Sequence, residues 1–136
     1  MIRLQREAIR VDRLIEAVRS DGDGAVALFV GTVRDHNRGR RVLQLEYHAY
    51  PEMAESEMER IAAAARERFG VARIAIVHRT GRLAIGEASV AVAVASAHRA
   101  DALEACRHVI DSLKQTVPIW KKELFEGGEA WIEGGA

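Results

Sequence analysis

Residues 88–125 read ASVAVAVASAHRADALEACRHVIDSLKQTVPIWKKELF, and they set out the fold in miniature. The opening ten residues alternate. Val90, Val92 and Val94 line one face of an extended strand, and Ala91, Ala93 and Ala95 line the other. Both faces are apolar, so this strand is expected to be central, with the small alanines letting a helix pack close. Residues 100–117 then change period. Leu103, Cys106, Ile110, Leu113 and Val117 recur at steps of three and four, a helix with one stripe toward the core. Pro118 ends the helix, because the residue before a proline is pushed out of helical geometry. IWKKELF, EGG and EAWIE follow as a closing β-hairpin.

Working back toward the N-terminus, PEMAESEMERIAAAARERFG at 51–70 predicts a long helix. Pro51 stands at its first position and Gly70 at its stop. AVALFVGTV at 25–33 is a continuous apolar run, expected to be a strand buried on both faces. RDHNRGRR at 34–41 is expected to be a polar loop. VLQLEYHAY at 42–50 alternates, with Leu43, Leu45, Tyr47 and Ala49 on one face. ARIAIVHRT at 72–80 is a further strand, and residues 81–87 a bend with room for a short one. Residues 12–19 form a short first helix with Asp12 as its N-cap. The predicted order is α-β-β-α-β-β-α-β-β. That is an α+β sandwich of two long helices on one mainly antiparallel sheet, and 136 residues suit a single domain, 1–136.

The totals narrow the function. Twenty basic residues balance twenty acidic ones, whereas nucleic-acid and membrane-surface proteins usually carry a basic excess. Aromatic residues make up 5%, and no strand is expected to expose stacking aromatics. The lone Cys106 cannot form an internal disulfide and lies on the helix's apolar stripe, as a core residue would. The charged N-terminus lacks a signal-peptide core, and no apolar run reaches membrane-span length. The expectation is a cytoplasmic protein. The five histidines show no metal-ligand spacing, so no metal site is expected.

Three basic segments remain as candidates for chemistry. Arg34, His36, Arg38, Arg40 and Arg41 crowd one loop opposed only by Asp35, and guanidinium forks match phosphate or carboxylate oxygens. Taken alone, this also reads as a solvated loop. His98 and Arg99 mark a helix start, where unpaired N–H groups favour anions, although His98 or Ser96 would also serve there as a cap. Lys114, Lys121 and Lys122 flank the Pro118 corner. Lys114 is also explained by the helix dipole, and the other two as edge-strand charges. Lys121 and Lys122 alternate faces on a strand, one toward the Ile119 side and the other toward the Trp120 side. With no nucleophile motif or Gly-rich phosphate loop in the chain, a site built from these residues binds anions and stabilises developing negative charge.

FVGTVRDHNRG, LEYHAYPEMAE, the run from VHRTGRLAIGE to PIWKKE, and WIE together resemble the catalytic, large-subunit family of molybdopterin synthase, over about residues 24–133. The resemblance implies an α/β hammerhead-type core with an extra C-terminal β-hairpin. It implies sulfur transfer to cyclic pyranopterin monophosphate (precursor Z), forming the dithiolene of molybdopterin, with no cofactor on this subunit. The sulfur donor would be the thiocarboxylated Gly-Gly terminus of a small ubiquitin-like subunit, in a heterotetramer built around a homodimer of large subunits. Catalytic lysines would be Lys114 and Lys121. Substrate-binding positions would be Thr32, Val33, Arg34, His98, Arg99, Lys122 and Glu123. Lys121 would meet the thiocarboxylate and Lys114 the oxygen released as the cyclic phosphate opens. The Gly134-Gly135-Ala136 end differs from a donor's terminal glycine, so this chain is expected to be the acceptor of that tail. Two other readings stand beside this one: a nucleic-acid-binding module using the basic loop, and an inactive scaffold for the small subunit.

Overall fold

The computed structural model describes residues 1–132. Glu133, with which the closing strand was expected to end, and the Gly134-Gly135-Ala136 tail lie outside the described residues. The elements are β1 (Ile2–Gln5), α1 (Val11–Val18), β2 (Ala25–Thr32), β3 (His36–Asn37), β4 (Arg40–Ala49), α2 (Pro51–Phe69), β5 (Arg73–Arg79), β6 (Gly81–Ala84), β7 (Ala88–Ser96), α3 (Arg99–Thr116), β8 (Ile119–Phe125) and β9 (Gly128–Ile132). The anticipated order is present, with β1, β3 and β6 added to it.

The strands form two sheets, where periodicity alone suggested one and the family resemblance implied an extra antiparallel sheet. The first runs β1-β5-β7-β2. β7 is antiparallel to both neighbours, and β1 joins β5 in parallel. The second runs β3-β4-β8-β9, with β6 also paired to β4. The division follows from β4, which turns away from the first sheet to pair with β6 and β8.

β7 is the buried strand that its alternation predicts. Its valines face the main core with Ile74 and Ile76, beneath α2 and α3. Its alanines face a second core, where Leu14 and Val18 of α1 settle against Ala91, Ala93 and Ala95. α1 starts one residue early, with Arg10 at the N-cap position and Asp12 in the first turn bonded to Arg10. α2 begins at Pro51 and stops at Gly70, whose φ of 66° is the left-handed turn a glycine takes without steric cost.

Three expectations need correcting. β2 is an edge strand, and Val26 and Leu28 on it are part-exposed rather than buried. In β4 a register shift between Val42 and Gln44 reverses the alternation. Val42 joins Leu45 and Tyr47 inside, and Leu43 turns outward. On α3 the buried face is Ala102, Ala105, Cys106, Val109, Ile110 and Leu113, whereas Leu103 is 60% exposed. Cys106, Ile110, Leu113 and Val117 of the expected stripe are buried, and only Leu103 misses it, with Ala102 taking the inward place beside it.

Candidate active site

The basic segment at 34–41 is not a loose loop. His36 pairs with Arg41 and Asn37 with Arg40, closing a hairpin over a two-residue turn. Arg38 and Gly39 take φ values of 51° and 76° there, the left-handed pair that a tight hairpin requires. For glycine this is free, but for Arg38 it costs on the order of 1 kcal/mol.

That hairpin, the end of β2, the last turn of α3 and the inner side of β8 enclose a cavity of about 290 Å³. Thr32, Arg34, His36 and Arg38 line one side, and Lys114, Lys121 and Glu123 line the other. Phe29, Tyr47 and Val90 are also in its wall. Strand alternation decides which lysine reaches it. Ile119, Lys121 and Glu123 point inward along β8, and Pro118 turns the chain so that Lys114 arrives from the helix on the same cavity. Lys121 carries a depressed pKa. Burial is the main cause, the positive charges of Lys114 and Arg34 add to it, and Glu123 opposes it. Its ammonium is therefore a better proton donor than an ordinary lysine, and its amine a more accessible base.

Glu123 is 2% exposed. Its Oε2 accepts a hydrogen bond of 2.9 Å from Asn37 Nδ2. Its Oε1 lies 3.6 Å from the Arg40 guanidinium, which stacks 4.1 Å from the centre of the Phe125 ring. His78 is another buried polar group near the lysines. Its Nδ1–H donates 2.7 Å to the Arg79 carbonyl, and its ring meets Tyr47 edge-on. Burial, together with the Lys114 and Lys121 charges, pushes its pKa down to about 4, so it is neutral at pH 7.

The other site residues anticipated from sequence fall elsewhere. Val33 is a core residue, bonded through its backbone to Glu87 and Gly86. Lys122 projects from the opposite face of the second sheet, 3.6 Å from Glu129 and over the Trp131 ring. His98 and Arg99 are exposed at the start of α3. His98 occupies the N-cap position without a capping side-chain bond. Fifteen residues of helix separate Arg99 from Lys114, about 22 Å at the α-helical rise.

Residues missed from sequence include Asn37, Tyr47 and Ser89, whose contribution depends on long-range pairing. The distribution of lysine is itself a signal. Lys114, Lys121 and Lys122 are the chain's only lysines, beside seventeen arginines. Arginine supplies fixed charge everywhere else, and the titratable amine appears only around Pro118. The expectation of no exposed aromatics also fails, since Trp120 and Trp131 are 43% and 60% exposed. They occupy the face away from the cavity, beside Tyr50 and His48.

Cations from separate elements, converging on a walled cavity with one pKa-shifted amine, define a class: an α+β domain built to hold anions during group transfer. The chain belongs to the MoaE protein family, whose model matches residues 4–116. It is 49% identical over 123 residues to the molybdopterin synthase catalytic subunit of Oryza sativa subsp. indica, covering 90% of this chain and 64% of that relative's length. With the catalytic subunit of Halalkalibacterium halodurans it shares 44% over 129 residues, covering 95% and 83%. The solved structure of molybdopterin synthase from Staphylococcus aureus superposes with a TM-score of 0.92 at 38% identity, covering 95% of this chain and 94% of that one.

Proposed function

We propose that this chain, as one domain spanning 1–136, is the catalytic large subunit of a cytoplasmic molybdopterin synthase. It takes sulfur from the thiocarboxylate of a small ubiquitin-like subunit and adds it to cyclic pyranopterin monophosphate. The observation that carries this reading is the meeting of Lys114 and Lys121, from either side of Pro118, with Arg34 on one cavity. Both reactants are anionic, and they repel unless positive charge offsets them. Arg34 and Thr32 hold the phosphate. Lys121 meets the thiocarboxylate, and its depressed pKa lets it supply a proton to the intermediate at that carbonyl. Lys114 stabilises the oxygen released as the cyclic phosphate opens.

His98 and Arg99 are too far along α3 to serve the cavity of their own chain. In the proposed homodimer they serve the cavity of the second copy. Lys122 is assigned to the small subunit's tail or to the second copy, since it leaves the cavity side. The basic hairpin and the exposed tryptophans lie on different faces, which favours the enzyme over a nucleic-acid surface.

The test is conversion of the cyclic phosphate by purified protein and thiocarboxylated small subunit, followed as dithiolene product. Lys114→Ala and Lys121→Ala are each expected to lose about a hundredfold or more in turnover. Near-normal product from both variants removes the assignment. Mixing Lys121→Ala with Arg99→Ala chains is expected to restore part of the activity, because a mixed dimer holds one intact cavity. No recovery rejects the shared site.

A further inference from the structure

Glu123 stands in the wrong place for a substrate carboxylate contact. It is a negative charge in the wall of a cavity whose other charged groups, among the described residues, are cationic, and on the proposed reading both reactants are anions. A carboxylate exposed to them would oppose their binding. Instead it is buried, and its two oxygens face the hairpin: Asn37 on one and Arg40 on the other.

Among the described residues the hairpin's other ties are few, the stacking of Arg40 on Phe125 being one. β3 pairs only with the first two residues of β4, and two residue pairs do not make a stable hairpin by themselves. One backbone bond, from Val42 N–H to the Asp35 carbonyl, adds to this. Glu123 by contrast sits on an inner strand, paired with Leu45 of β4 and Ala130 of β9. It is a fixed point facing a weakly held segment. The contact with Arg40 is also incomplete. The Arg40 Nε and Glu123 Oε1 are both buried without a hydrogen-bond partner, although their groups approach to 3.6 Å. A small inward movement of the hairpin brings Arg40 Nη2, now 3.6 Å away, within hydrogen-bond reach of Glu123 Oε1.

We infer that Glu123, through Asn37 and Arg40, is the positioning residue that fixes the 36–41 hairpin so that Arg34, His36 and Arg38 face the two lysines. This rests on the proposed function for its substrate, but the anchor itself is a property of the chain. Glu123 acts through the hairpin, and removing any member of the trio lets the cations on that side drift.

The experiment compares Asn37→Ala, Arg40→Ala and Glu123→Gln, with the double variant of Asn37→Ala and Glu123→Ala set beside its singles. Amide hydrogen exchange of the purified chains is read over residues 35–41, with β7 as internal reference. Steady-state kinetics are measured with the cyclic phosphate. Expected is exchange about tenfold faster in the hairpin and unchanged in β7, the scale of one lost hydrogen bond to a charged group. KM for the cyclic phosphate rises about tenfold with kcat within about twofold, and the double variant is no worse than Glu123→Ala alone. Asn37→Ala leaves the buried carboxylate in place, so the test survives if Glu123→Ala folds poorly. The inference is overturned if hairpin exchange is unchanged in Asn37→Ala and Arg40→Ala. It is also overturned if the Asn37 and Glu123 effects add in full, which marks Glu123 as a direct substrate contact. If the wild-type chain converts no cyclic phosphate, the functional reading fails, while the exchange data still decide the anchor.

Discussion

The two sheets use similar backbone geometry to opposite ends. In the first, β5 and β7 are covered on both faces by helices, and their inward residues are almost all Ile, Val and Ala. In the second, β4 and β8 carry Tyr47, Lys121 and Glu123 toward a cavity and Trp120 and Lys122 toward solvent. The first sheet gains stability by excluding water. The second tolerates a cluster of like charges because it is attached to that platform through the short β5–β6 connection and the Pro118 corner. The lesson is a division of labour, with cohesion concentrated in one sheet and charge in the other.

The sharpest way to break that comparison is to exchange the costs. Ile76→Ala in the dry sheet is expected to lower unfolding free energy by about 2–5 kcal/mol, read from urea denaturation, with turnover per folded molecule retained. Lys121→Met is expected to do the reverse: turnover collapses, while the urea midpoint holds or rises because a charge among cations is gone. If both variants lost stability alike, the division would be wrong.

His78 tests the boundary between the sheets. Its folded-state pKa of about 4 lies below its ordinary value of 6.5, so between those values the unfolded chain binds the extra proton. Its contribution is intact above pH 6.5 and is lost as pH falls toward 4, in total about 3 kcal/mol. The stability of His78→Gln, measured by urea at a series of pH values, should fall less steeply than wild type across that window. An unchanged slope would show that His78 is not held neutral.

The smallest expected effect concerns Arg38. Arg38→Gly should relieve the left-handed backbone and raise the thermal midpoint slightly, worth about 1 kcal/mol at most. It should also raise KM for an anionic substrate by removing one cation from the cavity.

Much of the first sheet was legible in the sequence because its cues are local. The alternation of β7, the Pro51 and Gly70 ends of α2 and the Pro118 stop each declare themselves within a few residues. The second sheet depends on partners far apart in sequence. Nothing near Leu43 announces the register shift that turns it outward, and nothing near Asn37 announces Glu123. Of the site, Thr32, Arg34, Lys114, Lys121 and Glu123 come together as the sequence suggested, because each adjoins a motif with a fixed geometry. His98 and Arg99 join them through the family resemblance and their chemistry, and within one chain the length of α3 separates them.

The Arg38–Gly39 turn carries a consequence for how this chain can change length. β4 is clamped by β6 and β8, so a residue inserted at the turn can be absorbed only by sliding β3. A slide of one position reverses its side chains: an insertion takes Asn37 off Glu123 and puts a residue of the turn in its place. A deletion of one slides it the other way and puts His36 there. Single-residue length changes should therefore be rejected at this turn, an indel rule that a saturation library scored for growth or activity can read directly.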